Sequence, residues 1–146
     1  MNTGNKNNKK RGRRGPLNIP VAVIIEGPKI LISQRTADDS FGGYWEFPGG
    51  KVETGETMEQ CLVREITEEL GVQIEITRKR MVISHPYPHR MIRLHCYDCR
   101  LTSGEPRAIE CADWKWVLPE ELTGFLFPPA SARLIQSLQR LEKGTP

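Results

Sequence analysis

The stretch Gly49–Val72, GGKVETGETMEQCLVREITEELGV, constrains the fold of this chain more than any other part of it. It carries the signals for both ends of one helix. Thr57-x-x-Gln60 fits a capping box, in which the threonine and glutamine side chains each satisfy a free backbone N–H, so Thr57 is the N-cap. Gly71 suits the position just past a helix C-terminus, where the backbone turns left-handed. The spacing predicts a helix over about Met58 to Leu70. Within it Leu62, Val63, Ile66 and Leu70 share an arc suited to burial against another layer. Glu65, Glu68 and Glu69 stand at i, i+3 and i+4, so three carboxylates converge on the flank of that arc. Like charges in this arrangement repel, more so once desolvated. A solvated acidic face accounts for them, and so does a site for a hard divalent cation such as Mg²⁺ or Mn²⁺. Two neighbours favour the cation. Gly49-Gly50 lets backbone approach a ligand closely, and Arg64 is placed to hold a glutamate by charge-assisted hydrogen bonds.

The layer opposite that helix comes from β-rich segments on both sides of it. LNIPVAVII (17–25) reads as a strand, with Pro20 pointing to an edge position at its start. EGPK is a turn, and KILISQR (29–35) is the returning strand of a hairpin. A Gly- and Asp-rich loop (36–45) leads to a short strand broken at Pro48-Gly49-Gly50. Strand-like stretches follow at 73–88, 89–101 and 111–119, and ARLIQSLQRLEK (132–143) has the apolar spacing of an amphipathic helix. The order strands, helix, strands, helix predicts an α+β fold, a mixed sheet with helices packed against it.

Residues 17–146 are expected to form one domain, preceded by a disordered basic tail over residues 1–16. Lys6, Lys9, Lys10, Arg11, Arg13 and Arg14 lie in that tail without an acid, and without those six charges the net charge of +3 falls to −3. The domain itself is therefore mildly acidic, and the tail is at most a weak contact for nucleic acid. No apolar run is long enough to cross a membrane, and no secretory h-region is present. Cys96-x-x-Cys99 falls on a strand, where residues three apart face opposite ways, so reduced thiols in a cytoplasmic protein are expected rather than a zinc or disulfide pair.

Gly50-x5-Glu56-x7-Arg64-Glu65-Ile66-x-Glu68-Glu69-x-Gly71-Val72 matches every fixed position of the Nudix box, the signature of the Nudix hydrolases. The chain therefore resembles that family, and the resemblance implies a curved mixed sheet between helices (α/β/α), bound Mg²⁺ with Mn²⁺ as a substitute, and hydrolysis of a nucleoside diphosphate linkage. It further implies metal ligation by Glu65, Glu68 and Glu69 and the Gly49 carbonyl, orientation of the glutamates by Arg64, and a loop-to-helix tie through Glu56. Segments outside the box, among them Trp45-Glu46-Phe47-Pro48, Tyr87-Pro88-His89-Arg90 and Phe127-Pro128-Pro129-Ala130, resemble the MutT subfamily, which hydrolyses 8-oxo-dGTP to the monophosphate and pyrophosphate. By that likeness Glu110 is a further metal ligand or general base, and Arg35 and Arg90 face the nucleotide.

From the residue chemistry, Arg35, Lys51 and Arg90 are cations available to phosphate or base, and Phe47, Tyr87 and Phe127 are rings able to stack on a purine. The chain departs from the MutT pattern at Ser131, where that pattern has an asparagine that reads the oxidised guanine. A hydroxyl cannot offer donor and acceptor side by side as an amide does. A CTP- or dCTP-type pyrophosphohydrolase is therefore the alternative. A non-catalytic sensor or lesion-recognition domain is the rival class, and such domains commonly lose box acids that this chain keeps. A monomer is expected.

Overall fold

The computed structural model describes residues 15–144, with side chains to residue 140. Residues 1–14, which hold the basic run, lie outside the described part. Two strands, β1 (Leu17–Glu26) and β2 (Lys29–Gln34), form a hairpin. After them come β3 (Trp45–Glu46), α1 (Met58–Leu70), β4 (Gln73–Tyr87), β5 (Arg90–Ser103) and β6 (Asp113–Val117). Two 3-10 turns, Pro119–Gly124 and Pro129–Ser131, lead into α2 (Ala132–Gly144).

Helix α1 has the predicted bounds, and both caps act as expected. Gln60 N–H donates to Thr57 Oγ1 at 3.1 Å, Thr57 N–H donates to Gln60 Oε1 at 3.0 Å, and Gly71 sits at φ 71°.

The strands run in the order β3-β2-β1-β5-β4, with β6 paired to β2. Strands β1 and β5 are parallel, and the other pairs are antiparallel, so the sheet is mixed. Next to their turn, β1 and β2 pair only at Ile25↔Ile30 and Glu26↔Lys29, and then they part. The Pro48–Gly50 segment fills the gap. Ala22 N–H donates to Pro48 O at 2.8 Å, and Gly50 N–H donates to Pro20 O at 3.4 Å.

This corrects the expectation for Pro20. Strand β1 lies inside the sheet, paired with β5 from Leu17 to Ile24. Pro20 presents its backbone to the Pro48–Gly50 side, so its missing N–H costs no bond in the β5 ladder.

Side chains alternate between two cores on the two faces of the sheet. Leu62, Ile66 and Leu70 of α1 pack with Ala22, Ile24, Leu31 and Tyr97. On the other face, Leu134 and Leu138 of α2 pack with Val21, Val23, Ile32, Phe47 and Leu94. The helix–sheet–helix layering is thus present. Leu62, Ile66 and Leu134 are fully buried, each contributing roughly 1.5–3 kcal/mol of hydrophobic stabilisation. Cys96 and Cys99 enter opposite cores, and all four cysteines are free. Among the described residues no helix is long and apolar enough to cross a membrane.

Candidate active site

The parting of β1 from β2 positions the site, because it brings the Pro48–Gly50 segment against both β1 and α1. The two glycines are needed for different reasons. A Cβ on Gly49 would run into the Pro20 carbonyl oxygen and the Val21 backbone. A Cβ on Gly50 would fall within the Glu65 carboxylate. The Pro48, Gly50 and Lys51 carbonyls are engaged by Ala22 N–H, the Cys61 thiol and Arg64 respectively, leaving the Gly49 carbonyl out of these contacts.

Arg64 binds the acids of loop and helix together. Its Nε donates to Glu56 Oε2 at 2.5 Å and its Nη2 to Glu56 Oε1 at 3.0 Å. Its Nη1 is shared between Glu65 Oε2 and Glu68 Oε1, each at 3.2 Å. Glu56 Oε1 also accepts the Glu53 N–H at 2.9 Å, which closes the loop onto the helix. The Arg64 hydrogen bonds, then the Glu53 N–H, pull the Glu56 carboxyl down to about 2. The same hydrogen bond raises the Arg64 pKa further above its ordinary value.

Glu69 is crowded by other acids of the cluster. Burial, then the negative charges of Glu46, Glu65 and Glu110, push its carboxyl up to about 9. Its Oε1 is buried without a hydrogen-bond partner. The Glu69 backbone carbonyl accepts N–H groups from Ile109 at 3.0 Å and Glu110 at 3.2 Å, and Arg107 N–H donates to Leu70 O at 2.9 Å. These bonds fasten the loop before β6 onto the end of α1. They bring the exposed Glu110, remote in sequence, to the carboxylate cluster.

Glu46 belongs to the same cluster and carries no role in the sequence reading. Burial pushes its carboxyl up, while Arg35 Nη1, at 2.6 Å from its Oε1, holds it down. Its position depends on the pairing Ser33↔Glu46 between β2 and β3, a two-residue strand without a periodic signature.

Among the described residues no group of three or more His, Cys, Asp or Glu side chains stands preassembled to hold a metal ion. Arg64 Nη1 occupies Glu65 and Glu68 between them. The donor set nonetheless fits a hard divalent cation. It consists of carboxylate oxygens, one of them orphaned, beside a glycine backbone that admits no side chain.

The remaining predicted residues divide into two groups. Phe47, only 3% exposed, stacks on Phe127 at 5.3 Å and 26°. Tyr87 Oη accepts the Ala130 N–H at 3.0 Å, which brings it to buried Ser131 in the 3-10 turn just before α2. Arg35, expected to face the nucleotide, is engaged by Glu46, by Asp39 at 3.0 Å and by the Ser40 carbonyl at 2.7 Å. Lys51 has an exposed side chain, and Arg90 Nε donates to Gly15 O at 3.1 Å at the β4–β5 turn. Arg90 is also the partner of Tyr87 across the β4–β5 pairing, which sets its backbone beside the Tyr87–Ser131 group.

A CTP pyrophosphohydrolase of Escherichia coli K12 is 37% identical to this chain over 132 residues, covering 89% of this chain and 96% of the relative. An 8-oxo-dGTP diphosphatase of the same strain is 36% identical over 126 residues, covering 86% and 98%. The solution structure of the E. coli ORF135 protein matches with a TM-score of 0.77 at 32% identity, over 92% of this chain and 96% of that one. Residues 20–137 match the family described as NUDIX domain, and with relatives of this identity spanned almost end to end, the chain belongs to that family.

Proposed function

We propose that this protein is a Mg²⁺-dependent nucleoside triphosphate pyrophosphohydrolase that releases pyrophosphate and leaves the nucleoside monophosphate. The observation that carries this reading is Glu69, half-buried and crowded by Glu46, Glu65 and Glu110, with one buried oxygen that has no hydrogen-bond partner. Such crowding costs stability in the free protein and suits a bound cation. Nudix hydrolases generally use divalent metal ions. In this proposal Glu65, Glu68, Glu69, Glu110 and the Gly49 carbonyl would hold Mg²⁺, with Mn²⁺ as a substitute. When bound, the metal neutralises phosphate charge and lowers the pKa of coordinated water.

The chain's own residues have separate roles in this scheme. Arg64 orients Glu65 and Glu68 and anchors the loop through Glu56. A glutamate of the cluster takes the proton of the attacking water, a task that requires a carboxylate within reach of that water. Arg35 holds Glu46 in place beside the cluster, while Lys51 and Arg90 supply positive charge to the phosphates or base. Phe47, Phe127, Tyr87 and Ser131 form the base end of the site.

An oxidised or otherwise modified purine nucleotide of the 8-oxo-dGTP type is the first candidate substrate, which would make the protein a cytoplasmic sanitiser of the nucleotide pool. CTP or a modified dCTP is the second, supported by Ser131 and by the likeness to a CTP pyrophosphohydrolase. Pyrophosphate release measured with Mg²⁺ on 8-oxo-dGTP, dGTP, CTP, dCTP and 5-methyl-dCTP tests both. The highest kcat/KM identifies the base, and absence of turnover on the whole panel rejects the enzyme reading.

A further inference from the structure

Phe41 lies in the loop between β2 and β3 at φ 56°, and among the described residues no other non-glycine residue has a positive φ. A bulky L side chain is disfavoured there by contact between Cβ and the backbone, and glycine or asparagine would remove the strain. The loop enforces the conformation. Tyr44 N–H donates to Phe41 O at 3.0 Å, Gly43 N–H to Arg35 O at 3.1 Å, and Arg35 N–H to Tyr44 O at 2.8 Å. Gly42 follows directly, where any Cβ would run into the Ala37 backbone. Burial does not offset the strain, because Phe41 is 40% exposed and belongs to neither core. A strained and exposed aromatic residue points to function rather than packing.

The surroundings identify what the ring can meet. Tyr44 lies 5.2 Å away at 62° and Tyr87 lies 5.9 Å away at 57°, so neither ring stacks parallel on Phe41. Tyr87 is fixed through its Oη by the Ala130 N–H, next to Ser131. On its other side the loop is tied by the Ser40 carbonyl to Arg35, whose partner Glu46 crowds Glu69. The Phe41 loop is thus braced at once by the carboxylate cluster and by the aromatic end of the site. We infer that Phe41 is a base-stacking platform that sets the nucleobase preference of this site, favouring the larger rings of a purine over cytosine. The inference rests on the nucleotide hydrolase reading above. It assigns to this residue a substrate contact that neither the box nor the sequence reading gave it.

The test is the affinity of wild type, Phe41→Ala, Phe41→Tyr and Phe41→Gly for the α,β-imido analogues of dGTP and dCTP with Mg²⁺, measured by calorimetry. Tripolyphosphate serves as the base-free control. Loss of stacking should weaken the dGTP analogue about tenfold in Phe41→Ala, with a smaller loss for the dCTP analogue. Tripolyphosphate binding should be unchanged, and Phe41→Tyr should return the dGTP analogue to within about twofold of wild type. Phe41→Gly relieves the strain without supplying a ring, so it should bind like the alanine variant while melting at a higher temperature. Unchanged affinities in Phe41→Ala, an equal loss for tripolyphosphate, or wild-type affinity in Phe41→Gly would each overturn the inference. Because these affinities need no turnover, a wild type that binds the analogues but hydrolyses no nucleotide rejects the enzyme reading and leaves the Phe41 result to stand or fall separately.

Discussion

Arg64 grips both oxygens of Glu56, at 2.5 and 3.0 Å, and so joins the glycine loop to the helix that carries the clustered acids. The two oxygens of one carboxylate and two nitrogens of one guanidinium form a bidentate pair, which fixes orientation as well as separation. A lysine could not reproduce it. Because the remaining Arg64 nitrogen reaches Glu65 and Glu68, the pair also governs where those carboxylates lie.

The pair gives stability a defined dependence on pH. The Glu56 carboxyl ionises near 2 in the folded protein against an ordinary value of 4.5. A depressed carboxyl contributes stability that is present above the unfolded value and is lost as pH falls from about 4.5 towards 2. Urea unfolding midpoints of wild type should therefore drop across that window more steeply than those of Glu56→Gln. Parallel profiles for the two proteins would show that the pair does not act as described.

Glu69→Gln should abolish most activity while the fold survives. The residue flanks the buried arc of α1 rather than lying in it, and the change replaces one carboxylate of a crowded group by a neutral amide of the same shape. We expect kcat to fall by at least about 100-fold, in the range seen when a group stabilising the transition state is removed. The melting temperature without metal should stay level or rise, since the variant removes the repulsion of Glu69 by Glu46, Glu65 and Glu110. Activity near that of wild type would remove Glu69 from the metal site.

Arg35 and Glu46 should behave as one unit. Their 2.6 Å ion pair is partly buried, with side-chain exposures of 22% and 23%. Single substitutions Arg35→Ala and Glu46→Gln should each lower kcat/KM, and the double variant should lose less than the sum, with a coupling of about 1–2 kcal/mol. Additive losses would mean that Arg35 meets the substrate independently of Glu46.

The contrast between Glu46 and the box acids explains what could be read from the chain. Glu65, Glu68 and Glu69 lie on one helix, whose ends Thr57, Gln60 and Gly71 declare locally, so their convergence follows from helical geometry alone. Glu46 joins them only through the pairing of a two-residue strand with β2, and Glu110 through carbonyl bonds at the end of α1. Neither arrangement is periodic. The register shifts of β4 between Ile76 and Arg78 and between Lys79 and Met81 are illegible for the same reason. Pro20 is tolerated inside the sheet because its missing N–H faces a loop folded back from residues 48–50, a neighbour that strand chemistry does not announce. The MutT likeness sets Arg35 against the nucleotide, but the Asp39 and Ser40 contacts that hold it depend on the conformation of the β2–β3 loop.

Gly49 and Gly50, adjacent in sequence, should fail in opposite ways when changed to alanine. At Gly49 the added methyl meets the Pro20 carbonyl oxygen and the Val21 backbone in the middle of β1, which can move only by distorting the sheet. The expected cost is about 1–3 kcal/mol of stability, as for overpacking elsewhere. At Gly50 it meets the end of the Glu65 side chain, which can rotate away at little cost in stability. That rotation takes a carboxylate out of the cluster and away from Arg64. Gly50→Ala should therefore keep a melting temperature near that of wild type and lose at least about tenfold in kcat, a misplacement effect. Gly49→Ala should melt early and, below its transition, keep more activity than Gly50→Ala. Paired melting curves and turnover assays decide the matter. A Gly50→Ala protein that is fully active would show that the position of Glu65 is not critical to the reaction.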